Sequence, residues 1–281
     1  MPTVFVSHGA PTLALDDGPA RRFLAGLGTL LGRPRAVVIV SAHWETDEVR
    51  VTAGERPETI HDFFGFPAPL YELRYPAPCA VDLAGELVEL LTAAGYAAVA
   101  DPGRGYDHGA WVPLSLMYPA ADVPVLQVSI NPERSPAYHW RLGRVLGTLR
   151  ATGVLVIGSG SMTHNLRDFR QQRHTVDADV EAYAEGFTEW FAEHLAAGDL
   201  EALLAYRERA PAAARAHPTD EHLLPLYVAL GAAGVSWSAA RVHHSFMHGA
   251  IAMDCYLFQP AHASASTANI NQTNLGESHA L

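Results

Sequence analysis

VVIVSAHWET, Val37 to Thr46, is the stretch on which the reading of this chain turns. Its first half is a run of β-branched apolar residues with no polar alternation, as expected of a central strand covered on both faces. It then breaks into Ser-Ala-His-Trp, and a histidine at the end of a core strand needs a reason.

Working outward, similar apolar runs recur at Thr3–Ser7, Ala36–Ala42, Val49–Ala53, Val123–Ile130 and Val154–Gly160. Helical patterns lie between them. In PARRFLAGLGTLL, Phe23, Leu27, Leu30 and Leu31 share a face, and AVDLAGELVELLTAAG repeats the pattern before stopping at Gly95. PAYHWRLGRVLGTLRATG enters on Pro136 and ends at Gly153, and VDADVEAYAEGFTEWFAEHLAAG predicts a long helix ending at Gly198. Strands alternating with helices predict an α/β fold, a single domain over residues 1–260 with a central, largely parallel or mixed sheet flanked by helices. Residues 261–281 are polar and poor in large apolar groups, and read as a disordered tail.

Composition narrows the function. The chain has 281 residues, 49% hydrophobic and 17% charged, with a formal charge of −11 and no cationic cluster. Nucleic acid and anionic membranes are therefore not expected partners. Two separated cysteines, Cys79 and Cys255, read as buried thiols in a reducing compartment, and no leader or spanning segment is apparent, so a cytoplasmic location is expected. A P-loop, a GxGxxG turn and a GxSxG elbow are absent, and the glycines of GSGSMTHN lack the lysine of a nucleotide cradle.

Histidine is abundant, with 15 in the chain. His8 follows the first strand, His43 the second, and His164 comes shortly after Val154–Gly160. In open α/β sheets the ligand crevice lies outside the carboxyl ends of the strands, so the three would converge on one site. His108 in GYDHGAW and His222 in HPTDEHLLPL sit in turn or helix-start contexts that would fold over the same edge. Neutral imidazoles with positions left open are the donor set of a catalytic metal.

Several stretches together resemble one family: SHGAP, PRAVVIVSAHWET, TIHDFFGFPAPLYELRYPAP, GYDHGAWVPLSLMYP, GSGSMTHNLR and HPTDEHLLPLYVALGAAG. In that order, from about Pro2 to Phe258, they resemble the DODA-type extradiol aromatic ring-opening dioxygenases, relatives of the class III catechol dioxygenases. The resemblance implies a non-haem metal enzyme that opens a catechol with O2, using Fe2+, with Zn2+ as the other candidate. It implies His8, His43 and His222 as metal ligands, His164 as the acid–base residue, and His108 as a partner for substrate or oxygen. Ala10 and Cys79 stand where the family often has Ser and Gly.

The third ligand rests on a choice within HPTDEH. The wider class III pattern would favour Glu221 and the DODA-type pattern favours His222. Pro225, which lacks an N–H, belongs in a first helical turn, predicting a helix start near Asp220–His222 capped by Thr219 or Asp220. For the aromatic ring, Trp44, His61 and Phe64 are candidate contacts, although His61 also reads as a loop residue packed on aromatics. A carboxylated catechol would need a cation, for which Arg74, Arg104 and Arg167 are candidates. The alternatives are a zinc-dependent hydrolase on the same scaffold and a non-enzymatic Memo-like binding protein.

Overall fold

Three of the predicted strands lie side by side in the sheet, which is why their ends can meet. The computed structural model describes residues 1–172 and 179–261; the expected tail and the lead-in of the helix expected from Val176 lie outside the described residues. The strands are β1 (Thr3–Ser7), β2 (Ala36–Glu45), β3 (Val49–Thr52), β4 (Ala98–Asp101), β5 (Val125–Ile130), β6 (Val154–Gly160), β7 (Trp237–His243), β8 (Phe246–Met247), β9 (Ile251–Ala252) and β10 (Cys255–Pro260). Eight form one mixed sheet in the order β4-β3-β5-β2-β6-β1-β10-β7, and β8 and β9 form a separate hairpin pair. The central four run parallel, while β10 joins β1, and β3 joins β5, in antiparallel fashion.

The helices are α1 (Pro19–Leu31), α2 (Ala68–Glu72), α3 (Val81–Ala93), α4 (His108–Met117), α5 (Pro136–Leu146), α6 (Leu166–Gln172), α7 (Ala182–Ala197), α8 (Leu200–Leu204), α9 (Tyr206–Arg209), α10 (Ala213–Ala216) and α11 (Leu224–Ala233). Alternation along β2 sorts them into layers. Val37 and Ile39 pack with α1 and α4, whereas Val38 and Val40 pack with α3, α5 and α11. A further apolar cluster joins Phe5, Tyr256 and Phe258 to α7 and the far side of α11. Both faces of the central strands are thus covered, as their unbroken apolar runs require.

Two expectations are corrected. β2 does not stop before His43 but continues to Glu45, while its ladder with β6 stops at Ser41 and its register with β5 shifts between Val40 and Glu45. His43 therefore sits where the strand peels away from its neighbours. α11 starts at Leu224, with Leu223 as N-cap and Pro225 in its first turn, later than expected. The side chain of Asp220 is taken by the Tyr206 hydroxyl, at 2.6 Å, and by Arg207, so it caps no helix. His222 lies in the turn before α11 rather than inside its first turn.

Glycine makes that turn fit. A Cβ on Gly158 would come within 2.0 Å of the Pro225 carbonyl oxygen, and one on Gly160 within 2.0 Å of the His222 carbonyl oxygen. The GSG of β6 is thus the bare surface on which the His222 segment lies, and the His222 carbonyl accepts a hydrogen bond from Ser161 N at 2.9 Å.

Candidate metal centre

At the carboxyl ends of β1, β2 and β6 a cavity of about 280 Å³ opens, with His8, His43, His108, His164 and His222 in its lining. The ring of His8 is buried at the tip of β1, where Gly9 turns the chain with φ +61°. His8 Nε2 lies 3.0 Å from His43 Nε2, which lies 3.2 Å from His222 Nε2.

Their other nitrogens fix the tautomers. The Ser159 hydroxyl donates its hydrogen to the Gly109 carbonyl, so it accepts from His8 Nδ1–H at 3.0 Å. His222 Nδ1 donates to Glu221 Oε1 at 2.9 Å, and His43 Nδ1 faces Asp62 Oδ2 at 3.5 Å. Each Nδ1 is turned to an oxygen acceptor, so each neutral ring presents a bare Nε2 lone pair. Lone pairs gathered this closely repel unless a cation lies among them, so the donor set fits a divalent metal with nitrogen preference.

Electrostatics favours neutral rings. Burial first, then the neighbouring His43, His108 and His164, pushes the His8 pKa well below the ordinary imidazole value. Burial brings His43 down to about 4, with His108 lowering and Asp107 and Asp62 raising it. Burial, then His164, His43, His8 and His217, does the same to His222.

His164 stacks on His222, with ring centroids 3.4 Å apart and planes 13° from parallel. Its Nδ1 is 3.7 Å from Glu221 Oε1. Burial, then His217, His43 and His108, lowers its pKa to about 3. Its segment is held by a backbone bond, His164 N donating to Ala216 O at 2.8 Å, and by the His217 side chain, whose Nε2 lies 2.9 Å from Met162 O. Glu221, the alternative third ligand, has a side chain only 15% exposed and faces both rings.

His108 begins α4, whose N-cap Asp107 accepts from Ala110 N. Asp62 Oδ1 accepts from both the backbone N and Nδ1 of His108, each at 2.9 Å. Burial raises the Asp62 pKa, but bonding to His108 and the nearby His43 outweigh it and bring it to about 2. Asp107 is fully buried and receives Ser41 Oγ–H at 2.7 Å, Arg104 at 2.8 Å and the Gln127 amide. Ser41 Oγ in turn accepts from His43 N at 3.2 Å. Gly109 lets the helix close over the rings, since a Cβ there would stand 2.4 Å from Ser41 Oγ and 3.2 Å from His8 Cε1.

The structure thus brings His8, His43, His108, His164 and His222 together. Beside the Nε2 chain His8–His43–His222, two other groupings, His8–His43–His108 and His164–Glu221–His222, have donor atoms within 4.8 Å of one another. It does not bring Trp44, His61 or Phe64 to the cavity lining. Trp44 is buried with the Arg104 guanidinium 5.0 Å above its ring. His61 Nε2 lies 3.1 Å from the Leu73 carbonyl oxygen, and its ring packs near Phe63 and Trp111. Phe64 is 92% exposed, while its neighbour Phe63 lines the cavity with Phe66 and Phe169. In an irregular loop no period tells which of two adjacent phenylalanines turns inward. Asp62, Asp107 and Ser159 escaped the sequence reading, and their only local signals were the pairs His61-Asp62 and Asp107-His108.

Residues 2–255 match the family model described as the catalytic LigB subunit of aromatic ring-opening dioxygenase. The chain is 41% identical over 260 residues to "4,5-DOPA dioxygenase extradiol" of Beta vulgaris, covering 91% of this chain and 96% of that protein. A protein of the same description from Escherichia coli K12 is 41% identical over 235 residues, covering 83% and 85% of the two chains. A crystal structure of an uncharacterized Escherichia coli K12 protein superposes with a TM-score of 0.76 at 34% identity, covering 92% of this chain and 99% of that one.

Proposed function

Because the chain belongs to the family of the catalytic LigB subunit of aromatic ring-opening dioxygenase, and is an extradiol ring-cleaving dioxygenase, we propose that it opens a catechol at iron(II) held by His8, His43 and His222. The observation that supports this ligand set is the meeting of three Nε2 lone pairs whose Nδ1 atoms all face oxygen acceptors. We assign the catalytic domain to residues 1–260. The hydrolase and binding-protein alternatives find no support among the relatives.

When bound, the metal supplies Lewis acidity to the phenolic oxygens and a route for electrons to dioxygen. The chain's own residues do the rest. His164 is neutral and turns Nδ1 toward Glu221, leaving Nε2 to accept a phenolic proton and later return it. His108, with Nδ1–H given to Asp62, offers Nε2 as a second acceptor for substrate. Phe63, Phe66 and Phe169 wall the aromatic ring, the part the sequence reading gave to Trp44, His61 and Phe64. Zn2+ fits the same nitrogen donors but cannot change oxidation state, so it would hold a catechol without turning it over. Among the described residues no helix is long and apolar enough to cross a membrane. Free, buried Cys79 and Cys255 suit a reducing compartment, the cytoplasm being our reading.

The test is anaerobic loading with Fe2+, Zn2+ or no metal, followed by air and a small catechol panel. Oxygen uptake with a coloured semialdehyde under Fe2+ alone is expected. Equal turnover under Zn2+, or none under Fe2+, would refute the iron reading.

A further inference from the structure

We propose that the cavity selects catechols whose ring substituent is uncharged and apolar, with Leu166 at its mouth as a residue that sets the preference. The proposal rests on the ring-cleaving reading above and deepens it. Besides the histidines, the cavity is walled by Ala10, Pro11, Phe66, Leu166, Phe169 and Ile251. Leu166 opens α6 directly after the segment carrying His164, and it lines the cavity while 43% exposed. A large apolar side chain held both in solvent and at the rim is an unpartnered surface that an apolar substituent would cover.

Charge on a substituent finds little to meet it. All 19 of the chain's Lys+Arg residues are arginine, so a permanent side-chain cation to meet a carboxylate would have to be a guanidinium. Among the described residues no arginine lines the cavity. Arg104 is committed to Asp107 and the His43 carbonyl oxygen. Arg74 donates to the carbonyls of Tyr71 and Leu73. Arg167 is exposed and stands outside the lining. A carboxylate moved from water against this wall would lose hydration without gaining a partner. An alkyl chain would gain, by about fourfold in kcat/KM for each methylene buried. The volume of about 280 Å³ suits one ring with a short substituent.

The experiment uses the iron-loaded full chain and compares kcat/KM for catechol, 4-methylcatechol, 4-propylcatechol, 3-(3,4-dihydroxyphenyl)propionate and 3,4-dihydroxyphenylalanine. The expected order rises from catechol to 4-propylcatechol, with the propionate at least tenfold below the propyl compound. Leu166→Arg should narrow that gap by tenfold or more, whereas Leu166→Gln should lower the propyl preference without helping the propionate. A propionate or amino acid cleaved better than 4-propylcatechol by the natural chain overturns the proposal, even if Leu166→Arg fails to fold. An unchanged ratio in a folded Leu166→Arg overturns the assignment of Leu166. Cleavage of no catechol at all refutes the catechol reading and the proposal with it.

Discussion

The two sides of the cavity are built differently. The histidine side is built on the ends of three adjacent strands, β1, β2 and β6, with the start of α4 and the turn before α11 folded over them, and contacts such as His8–Ser159 and His108–Asp62 tie it to partners remote in sequence. The opposite wall, the apolar part of the lining, comes from connecting segments, α6 and Ile251 of β9, and its residues meet the cavity through apolar contact. Sheet register fixes the first side to within the tolerance of hydrogen bonds. The second can change by single substitutions without disturbing the first. Chemistry is therefore expected to reside on the rigid side and substrate choice on the adaptable one.

Substitutions on the rigid side should have the largest effects. His43→Ala removes the nitrogen that lies near both other candidate ligands, and should abolish metal retention together with ring cleavage. His164→Ala should keep the metal and lose turnover on the order of a hundredfold or more, the usual size of general acid–base catalysis. If metal content fell with activity, His164 would belong with the ligands instead. Glu221→Ala should weaken metal affinity by about 10–100-fold by freeing the His222 ring, as loss of such outer partners does elsewhere.

Gly109→Ala tests how rigid that side is. Its Cβ would stand 2.4 Å from Ser41 Oγ, so α4 must shift; a cost of about 1–3 kcal/mol, seen as a fall in thermal midpoint, is expected. A midpoint unchanged in the metal-free protein would show that the helix is not pressed on the rings as described. Substitutions on the opposite wall, such as Phe169→Leu, should alter KM by only a few-fold and leave the metal in place.

Acid should also separate the metal-free protein from the loaded one. His43 and His217 have pKa values lowered to about 4, chiefly by burial, and His164 to about 3. The unfolded chain binds protons on these groups near the ordinary pKa of ~6.5, while the folded chain does not. Stability is thus fully present above about pH 6.5 and is lost as pH falls from there through 4, and through 3 for His164. Denaturant midpoints of the metal-free protein across this window check it, and a midpoint that rose on acidification would contradict neutral buried rings.

Much of this division was legible in the sequence. β1 and β6 have the bounds of their apolar runs, and the histidines beyond them lie where the rule for open sheets puts a crevice. β10 was not singled out among the strands; it ends on Pro260, which cannot donate to a ladder. α4 carries Pro113 inside it, an interior residue that normally argues against a helix. Asp62 and Ser159 act through contacts spanning many residues, which no local pattern encodes, and Asp107 adds to its local cap of α4 the remote bonds from Ser41 and Gln127. The GSG of β6 was weighed as a phosphate cradle because glycine signals close approach without saying of what; the structure answers with the His222 turn. Phe63 and Phe64 are adjacent and alike, and only the fold distinguishes them.

The central claim is that His8, His43 and His222 form the ligand set. Anaerobic titration of Fe2+ into the metal-free natural chain and into His222→Ala, His164→Ala and His108→Ala, read by equilibrium metal content, tests it most directly. The account predicts about one tightly held ion per chain in the natural protein, in His164→Ala and in His108→Ala, and loss of tight binding in His222→Ala. Tight binding retained by His222→Ala but lost in His108→Ala would contradict it, moving the metal to the His8–His43–His108 grouping.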